Sequence, residues 1–489
     1  MSSGSAAAVA GADSAPHFVL VPMMAAGHAG PMLDMARTLS RRGALVTFVT
    51  TPLNLPRLGR APSDDALPIR FLPLRFPCAE AGLPEDCESL DALPGLGLLS
   101  NFNDACAMLR GPLVTRLRDD REGGDTPPAS CVVSDACHPW MGWVARELGV
   151  PRFSFDGFCA FSSFCMRQMN LHRIFDGVDD DRRSVRVPGF PIDVQISRAR
   201  SPGNFTGPGM KEFGEEIMAE SARADGLVVN SFAELEPMFL DAYEAAIGKK
   251  IWTVGPLFLT PTTMPPPPAM TEDANAVRCA SWLESKKPRS MVFVSFGSLV
   301  RSSLPQLVEI GHGIEATKRP FIWVVKPGNP AEFEQWLSED GFESRVGEMG
   351  LVIRDWAPQK AILSHPATGA FVTHCGWNSV LECVAAGLPM VTWPHFAEQF
   401  MNEKLVVDVL QVGVPVGVKD AAQWGVETEG VAATRQDVER AVAEVMDCGE
   451  EASARRARAA ELGRKAREAV AHGGSSYRNV ALLIQHVKH

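Results

Sequence analysis

The chain has 489 residues, and 46% of them are hydrophobic, which is enough to form large cores and is most simply accommodated in two domains of ordinary size. The formal net charge is −11, and no run of basic residues reverses this balance. The composition therefore argues against nucleic acid or an anionic membrane surface as the general partner.

The cysteines bear on the cellular compartment. There are eleven of them, with neither regular CxxC pairs nor a Cys/His pattern typical of a metal site, and the odd number favours reduced thiols. We therefore expect a cytoplasmic protein with no metal site. Residues 1–16 are rich in Ala, Ser and Gly, no Lys or Arg precedes Arg37, and Pro22 ends the first apolar run. This pattern predicts a disordered leader rather than a signal peptide or a membrane span.

The first predicted unit is a strand, a loop and a helix. Phe18 to Val21 form an apolar run typical of a buried strand, Met23 to Gly30 are predicted to be a loop, and Pro31 is expected to open a helix. A second apolar run, Ala44 to Thr50, completes a βαβ unit and predicts a parallel sheet. His28 falls in the predicted loop, where a lone histidine is commonly an ordinary surface residue.

Another short strand is predicted at Cys131 to Ser134, and Asp135 lies at its carboxyl end. Position alone leaves two interpretations of Asp135: a functional carboxylate at a strand end, or the N-cap of a helix in the Pro139–Trp140 segment. From the residues alone, His138 is a rival to His28 as a catalytic base.

Composition marks the boundary between the two predicted domains. Leu227 to Asn230 and Ile251 to Val254 are the last predicted strands of the first domain. The sequence then becomes rich in Pro and Thr, with four consecutive prolines at 265–268, which predicts an extended linker. We predict a first domain at 17–256, a linker at 257–276, a second domain at 277–470 and a C-terminal helix at 471–489.

The second domain begins with the same pattern as the first. Met291 to Phe296 are predicted to be a buried strand, followed by a turn at Gly297 and Ser298, a helix that contains Leu304, and a strand at Phe321 to Val325. Ser298 is either a ligand contact or a simple helix cap. Two similar α/β domains that face each other would form a cleft between them.

The most informative stretch is Trp356 to Gln399. It contains a predicted strand at Gly369 to Thr373, a tight turn at His374 to Gly376, a helix from about Asn378 and a further strand at Met390 to Trp393. A glycine turn followed by a helix N-terminus favours a bound phosphate, because it offers unpaired N–H groups and the positive end of the helix dipole.

Two alternatives remain open within this stretch. Glu382 could accept bonds from the two hydroxyls of a ribose, or it could form a capping box with Ser379. Trp356 and Trp393 are commonly core residues when judged by type alone, and His365 is by the same reasoning a structural residue.

All 44 residues of this stretch resemble the signature box of the plant family 1 UDP-sugar glycosyltransferases, in register from the WAPQ opening through HCGWNS to the final Glu398-Gln399. The resemblance extends along nearly the whole chain. It implies the GT-B fold, in which two Rossmann-like domains with parallel sheets face each other and the C-terminal helix, here 471–489, returns to the N-terminal domain. The acceptor is then expected mainly in the first domain and the UDP-sugar mainly in the second.

The resemblance also implies roles for individual residues. Met24 to Pro31 are similar to the family loop that carries the catalytic base, which assigns that role to His28, and the matching aspartate that orients the base is Asp135. The implied donor contacts are Trp356 and Ala357 to uracil, Gln359 and Glu382 to ribose, Ser298, His374, Asn378 and Ser379 to the diphosphate, and Trp377, Glu398 and Gln399 to the sugar.

The acceptor is constrained only by class. Residues 76–85 resemble the plant subgroup that acts on flavonoids, triterpenoids and steroid-like compounds. Apolar side chains at Trp140, Phe153 to Phe164 and Met166 to Met169 are candidates for an acceptor slot, although core packing is the commoner fate of such residues.

The implied reaction is inverting transfer of glucose from UDP-glucose to a hydroxyl of a small lipophilic plant metabolite, by a monomer without cofactor or metal. A different UDP-sugar, or a carboxyl or nitrogen acceptor, is an alternative within the same chemistry. A UDP-sugar epimerase would share the phosphate turn but would not need the His28 and Asp135 pair. A catalytically silent binding protein would typically lack His28 or His374, and both are present.

Overall fold

The structure is a computed structural model in which residues 15–59, 66–201, 210–259, 274–354, 356–422 and 430–488 are described. Most of the predicted leader and linker, at residues 1–14 and 260–273, lies outside the described residues. The described residues form an N-terminal half built on a seven-stranded sheet and a C-terminal half built on a six-stranded sheet.

The strands of the N-terminal half are β1 (His17–Val21), β2 (Leu45–Thr50), β3 (Ile69–Pro73), β4 (Cys131–Asp135), β5 (Arg152–Asp156), β6 (Val185–Arg186), β7 (Gln195–Ile196), β8 (Gly226–Val229) and β9 (Ile251–Thr253). Seven of them form a parallel sheet in the order β3-β2-β1-β4-β5-β8-β9, and β6 and β7 form an antiparallel hairpin. Every residue of β1 and β4 is buried, because helices cover both faces of the sheet. The strands predicted for this half are confirmed to within one residue at each end.

The helices of the N-terminal half are α1 (Ala26–Ser40), α2 (Leu99–Met108), α3 (Arg110–Glu122), α4 (Met141–Leu148), α5 (Ala160–Leu171), α6 (Met210–Arg223) and α7 (Pro237–Ile247). Among the described residues, short 3-10 turns lie at Leu55–Arg57, Leu90–Ala92, Leu96–Leu98, Arg198–Arg200, Leu257–Leu259 and Gly347–Met349.

The C-terminal half contains β10 (Met291–Ser295), β11 (Phe321–Val325), β12 (Gly350–Arg354), β13 (Thr368–Thr373), β14 (Met390–Thr392) and β15 (Gly413–Pro415). These strands are parallel and lie in the order β12-β11-β10-β13-β14-β15. The helices are α8 (Ala274–Glu284), α9 (Leu304–Ala316), α10 (Pro330–Asp340), α11 (Phe342–Val346), α12 (Gln359–Ser364), α13 (Trp377–Ala386), α14 (Gln399–Lys404), α15 (Arg435–Met446), α16 (Glu450–Val470) and α17 (Ser475–Lys488).

Helix α1 begins at Ala26, five residues before the predicted start at Pro31, so His28 lies in the first turn of the helix and not in a loop. Pro31 is inside the helix and has no N–H group to donate to the carbonyl of Gly27 four residues earlier. That carbonyl instead accepts a bond from Asn378 of the C-terminal half at 2.7 Å. The helix tolerates the proline because a distant residue satisfies the freed oxygen.

Two elements after the signature stretch have local irregularities. Helix α14 is followed by a π-helical turn, Leu405–Val409, in which the Leu410 N–H bonds to the Leu405 carbonyl at 2.8 Å. The wider turn keeps both Leu405 and Val406 buried. Strand β15 ends at Pro415, which has no N–H to donate to a neighbouring strand.

The last helix, α17, returns to the N-terminal half. The Ser476 hydroxyl donates to the Gly255 carbonyl at 2.5 Å, and the Asn479 amide donates to the Thr253 carbonyl at 3.1 Å. Arg42 of the N-terminal half donates to the Tyr477 carbonyl at 2.6 Å and stacks on the Tyr477 ring. The end of the chain therefore packs against the edge of the first sheet.

Candidate active site

Both sheets have a topological switch point, and the predicted functional residues lie beside these two points. In the first sheet β1 and β4 are neighbours, and the strand order runs outward from them in opposite directions. His28 follows β1, and Asp135 is the last residue of β4. In the second sheet the neighbours are β10 and β13, followed by Gly297 and His374. Ligands of open α/β sheets bind in the crevice at such carboxyl-terminal strand ends.

His28 and Asp135 form a direct pair at the first switch point. The distance between His28 Nδ1 and Asp135 Oδ2 is 2.8 Å, and the His28 side chain is 28% exposed whereas that of Asp135 is 3% exposed. Burial opposes protonation of His28, but the Asp135 carboxylate outweighs it, so the pKa of His28 is raised above its usual value. Burial likewise opposes ionisation of Asp135, yet the neighbouring His28 lowers the pKa of Asp135 to about 2.

This geometry fixes the chemical state of the pair. An ionised carboxylate on Nδ1 favours the tautomer that carries its proton there, which leaves Nε2 as the nitrogen that can take a proton. The other Asp135 oxygen accepts the Cys137 N–H at 2.9 Å. The helix-cap interpretation of Asp135 is wrong, since α4 begins at Met141 and its N-cap residue is Trp140.

His138, the rival base, is committed to the core. It is 1% exposed, its Nδ1 accepts the Trp140 indole N–H at 3.2 Å, and its Nε2 lies 3.0 Å from the Pro22 carbonyl. Because Nδ1 is an acceptor, Nε2 must carry the proton that it donates to Pro22. Burial lowers the pKa of His138. Neither ring nitrogen of His138 is therefore free to act as a base.

At the second switch point, two glycines make room for the ring of His374. A Cβ atom on Gly297 would lie 2.7 Å from His374 Cε1, and one on Gly376 would lie 2.3 Å from His374 Nε2. Gly297 also has a φ of +75°, which favours glycine. No side chain larger than hydrogen fits at either position without displacing the imidazole.

The His374 ring is neutral and lacks a partner on one nitrogen. Burial lowers the pKa of His374 to about 3. Among the described residues, none makes a hydrogen bond to its buried Nδ1 atom. A buried polar atom without a partner is costly, so this nitrogen is a candidate ligand contact.

The start of α13 completes this turn. The N-cap residue is Gly376, and Cys375 before it has a φ of +64°, an unusual conformation for a residue with a side chain. Ser379 and Glu382 are the third and sixth residues of the helix, so the capping-box interpretation is wrong. Ser303, not Ser298, precedes α9, so Ser298 is not a helix cap either.

Gln359, Ser379 and Glu382 form a polar group behind the turn. The Gln359 amide donates to the Glu382 carboxyl at 2.9 Å and to the Ser379 hydroxyl at 3.0 Å. Burial raises the pKa of Glu382. These bonds place polar side chains on one face of α13, next to α12.

The two tryptophans of the signature stretch differ in exposure. Trp356 is 55% exposed at the end of β12, whereas Trp393 is 2% exposed and packs edge-on against Phe296. Trp393 is therefore a core residue, and Trp356 offers an open aromatic face. Ala357 is buried beside it, and the Ala357 carbonyl accepts the Gln359 N–H at 2.8 Å.

Trp377, Glu398 and Gln399 are buried where the halves meet. The Trp377 indole N–H donates to the Asn230 carbonyl of the N-terminal half at 2.8 Å. The Gln399 side-chain oxygen accepts the His395 and Phe396 N–H groups at 2.8 and 3.1 Å. Burial raises the pKa of Glu398 to about 7.

Most of the apolar residues considered for an acceptor slot are in the core. Trp140 is buried and bonded to His138, Phe153 packs on Trp252, and Phe161 packs on Phe239. Phe158 and Met166 remain partly exposed. Phe158 follows the end of β5, the strand next to β4, and lies near the switch-point crevice.

Comparisons with known proteins decide the family. The model of the UDP-glucoronosyl and UDP-glucosyl transferase family matches residues 269–448. UDP-glycosyltransferase 73C6 of Arabidopsis thaliana is 40% identical over 481 residues, which cover 96% of each chain. The chain belongs to the plant family 1 UDP-glycosyltransferases. The resemblance seen in the signature stretch is therefore confirmed, and the protein is an enzyme of glycosyl transfer.

Solved structures show that this glycosyltransferase has the predicted GT-B fold. UGT73P12 of Glycyrrhiza uralensis, in complex with glycyrrhetinic acid 3-O-monoglucuronide, has a TM-score of 0.85 and 33% identity, with 97% of this chain and 96% of that chain covered. UGT89C1 of Arabidopsis thaliana, in complex with UDP-L-rhamnose, has a TM-score of 0.73 and 29% identity, with 97% and 100% covered.

No helix in the described ranges is long and apolar enough to cross a membrane. Within the same part of the chain, no group of three or more His, Cys, Asp or Glu side chains is arranged to hold a metal ion.

Three residues near this site were not identified from the sequence. Asn230 accepts the Trp377 indole, Asn402 bonds to both halves, and the carboxyl of Asp156, whose pKa burial raises to about 6, interacts electrostatically with Asp135. Most of their partners lie far along the chain, and no local motif marks these three residues. Only the position of Asp156 at a strand end could have indicated a role.

Proposed function

We propose that this glycosyltransferase transfers glucose from UDP-glucose to a hydroxyl of a small lipophilic plant metabolite, with inversion, to give a β-O-glucoside. The observation that carries the proposal is the 2.8 Å pair of His28 and Asp135 at one switch point, joined to the phosphate turn at the other by the 2.7 Å bond from Asn378 to Gly27. The base and the donor turn thereby share one crevice.

His28 is the proposed base. Its Nε2 removes the proton of the acceptor hydroxyl as the oxygen attacks the anomeric carbon from the face opposite UDP, and Asp135 stabilises the imidazolium that forms. The raised pKa of His28 supports this role, because a stronger base takes the proton more readily. The bond from the anomeric carbon to the UDP oxygen breaks in the same step.

The proposed donor contacts follow the turn and helix already described. Trp356 stacks on uracil beside Ala357, Gln359 and Glu382 accept and donate bonds to ribose, and the diphosphate lies at the start of α13. There His374, Asn378, Ser379 and Ser298 surround it, and the helix N-terminus stabilises the charge that develops on UDP. Exposure of the Trp356 ring and the unpartnered His374 Nδ1 support these roles.

The sugar contacts are proposed at Trp377, Glu398 and Gln399. Their position where the halves meet supports this, since a sugar held there lies between the phosphate turn and His28. A closed cleft supplies much of the remaining rate by holding two substrates in a reactive orientation. The acceptor is proposed to lie against the partly exposed Phe158 and Met166.

Glucose is proposed over other sugars because a terminal Gln, here Gln399, tends to accompany it in the family. Another UDP-sugar is the second candidate, and one observation favours keeping it: the solved relative UGT89C1 is in complex with UDP-L-rhamnose. The complex of UGT73P12 with glycyrrhetinic acid 3-O-monoglucuronide supports a bulky lipophilic acceptor.

The deciding experiment incubates purified protein with UDP-glucose, UDP-glucuronic acid or UDP-L-rhamnose and a panel of flavonoids, terpenoids, steroids and simple phenols. We expect UDP release and a product with UDP-glucose, a β-anomeric proton by NMR, and loss of product in His28→Ala. Product with another donor only would contradict the glucose assignment. Binding without product for any acceptor would favour a silent binding protein.

We also propose that the enzyme acts in the cytoplasm as a monomer. All eleven cysteines are free thiols, which is usual in a reducing compartment. Light scattering of the purified protein tests the oligomeric state, and a fluorescent fusion tests the compartment. A dimer mass or a signal in the secretory pathway would contradict the corresponding part of the proposal.

A further inference from the structure

Asn402 lies at the centre of a buried network that joins the two halves. It is a residue of α14 with no exposed surface, and its amide makes four hydrogen bonds. Its Nδ2 donates to the Cys375 carbonyl at 2.8 Å and to the Glu398 carboxyl at 3.2 Å. Its Oδ1 accepts the Ser162 hydroxyl at 2.7 Å and the Cys159 thiol at 3.4 Å.

The chemistry of the partners determines the orientation of this amide. The Cys375 carbonyl can only accept a hydrogen bond, so Nδ2 must face it, and Oδ1 must then face Ser162 and Cys159. Both of these can donate. All four hydrogen-bonding positions of the amide are used, and a flipped amide would place its oxygen against the Cys375 carbonyl.

On the C-terminal side, Asn402 holds two parts of the donor site. Cys375 has a φ of +64° and lies between His374 and Gly376 in the phosphate turn. Glu398 precedes α14 and is 5% exposed. One amide group therefore fixes the carbonyl of a strained turn residue and the carboxyl proposed to contact the sugar.

On the N-terminal side, the partners of Asn402 belong to the start of α5. Cys159 is the N-cap residue of this helix, and Glu236 accepts the Ala160 and Phe161 N–H groups at 3.1 and 2.8 Å. Glu236 also accepts the Ser231 hydroxyl at 2.5 Å. The start of α5 is thereby fixed to its own half, and it offers Asn402 a rigid surface.

We propose that Asn402 is a positioning residue that sets the Glu398 carboxyl and the Cys375 carbonyl for the donor sugar, and that its bonds to Ser162 and Cys159 make this arrangement depend on contact between the halves. The inference rests on the proposed role of Glu398 in sugar binding. If Asn402 had a purely structural role, its amide would contribute to stability but would not affect binding of the sugar specifically.

The test compares Asn402→Asp with Gln306→Glu. Both replace a buried amide by an acid of the same shape. Among the described residues, the partners of the Gln306 amide are the backbone groups of Ala432 and Ala433. In Asn402→Asp an oxygen replaces Nδ2 and faces the Cys375 and Glu398 oxygens. We expect affinity for UDP-glucose, measured by calorimetry, to fall about tenfold more than affinity for UDP, with a raised donor KM.

The control variant Gln306→Glu tests whether the loss of a buried amide by itself changes nucleotide binding. Gln306→Glu should lower the unfolding temperature and leave both affinities unchanged. Equal losses of affinity for UDP and UDP-glucose in Asn402→Asp, or a loss of stability alone, would overturn the proposal. If Asn402→Asp does not fold, Ser162→Ala provides the same comparison, because it removes one bond to Asn402 and leaves the two donations in place.

A failure of the proposed donor can be recognised separately. If the wild-type protein binds another UDP-sugar and not UDP-glucose, the glucose assignment is wrong, and the comparison with UDP is made with the sugar that binds. Ser162→Ala should then weaken binding of that sugar by several-fold relative to UDP. An unchanged ratio would overturn the role of contact between the halves.

Discussion

The Asn378 amide donates to the Gly27 main-chain oxygen at 2.7 Å and so connects the phosphate turn to the helix that carries His28. The oxygen is available because Pro31 has no N–H for it to accept. Gly27 is adjacent to His28, so this bond links contact between the halves to the residue next to the base. The distance from Lys360 Nζ to Asp34 Oδ2 across the same interface is 3.9 Å.

Asn378→Ala should loosen the closed arrangement even without nucleotide, because it removes the donor to Gly27. We expect a larger radius of gyration by small-angle scattering of the free protein, and kcat/KM lower by about tenfold. The control is Asn101→Ala, which removes a 2.7 Å bond to the Ala81 carbonyl within one half. An identical radius in Asn378→Ala and wild type would contradict the prediction.

The pH dependence of kcat/KM should report the His28 pair. The base acts when neutral, and its pKa is raised, so activity should fall as pH decreases through a value above the usual 6.5 of histidine. Asp135→Asn removes the charge that raises this pKa and leaves burial, which lowers it. The acid limb should then move to lower pH, while the plateau falls by about 10²-fold or more.

Rates measured from pH 5 to 9 with a non-ionising alcohol acceptor test this expectation. An acid limb at the same pH in Asp135→Asn and in wild type would show that a group other than His28 controls the rate. Asp156 and Glu398, whose pKa values burial raises to about 6 and about 7, both interact electrostatically with His28, and Asp156→Asn identifies the contribution of Asp156.

Gly376→Ala should displace His374, since the new Cβ would lie 2.3 Å from Nε2. We expect UDP affinity to fall by at least about tenfold and stability by about 1–3 kcal/mol, the usual range for overpacking. Gly214→Ala in α6 is the control, because nothing lies within 4 Å of its Cβ. Calorimetry with UDP measures the affinity of each variant, and thermal unfolding measures its stability. A normal UDP affinity in Gly376→Ala would contradict the expected displacement of His374.

Trp356→Ala and Trp393→Ala should separate binding from stability. Trp356 is 55% exposed, so its loss should weaken UDP-sugar binding and leave the unfolding temperature nearly unchanged. Trp393 is 2% exposed, and its loss should cost about 3–5 kcal/mol of stability. A Trp356→Ala protein with wild-type donor affinity would show that the exposed ring does not stack on the base.

The apolar runs of the sequence were sufficient to predict the alternation of strands and helices, because buried parallel strands and glycine turns have strong local patterns. The start of α1 was misplaced, since Pro31 favours a first helical position and the compensating bond from Asn378 comes from residues far along the chain. Asn402 was missed for the same reason. Its four partners lie in three segments, and an isolated Asn in a helix carries no local signal.

The resemblance to the family supplied the site roles that spacing left open. Spacing alone allowed Glu382 to be either a ribose contact or part of a capping box, and only the observed start of α13 at Trp377 excluded the second. Similarly, His138 was a rival to His28 until both of its ring nitrogens were found bonded within the core.

Helix α17 has a consequence for how the chain is synthesised. Val480, Leu483 and Ile484 of this helix belong to the same buried cluster as Phe18 and Phe48 near the start of the chain. The first half therefore leaves the ribosome long before the side chains that complete its core have been made. A nascent chain stalled before residue 475 would expose that apolar surface and need a chaperone to cover it.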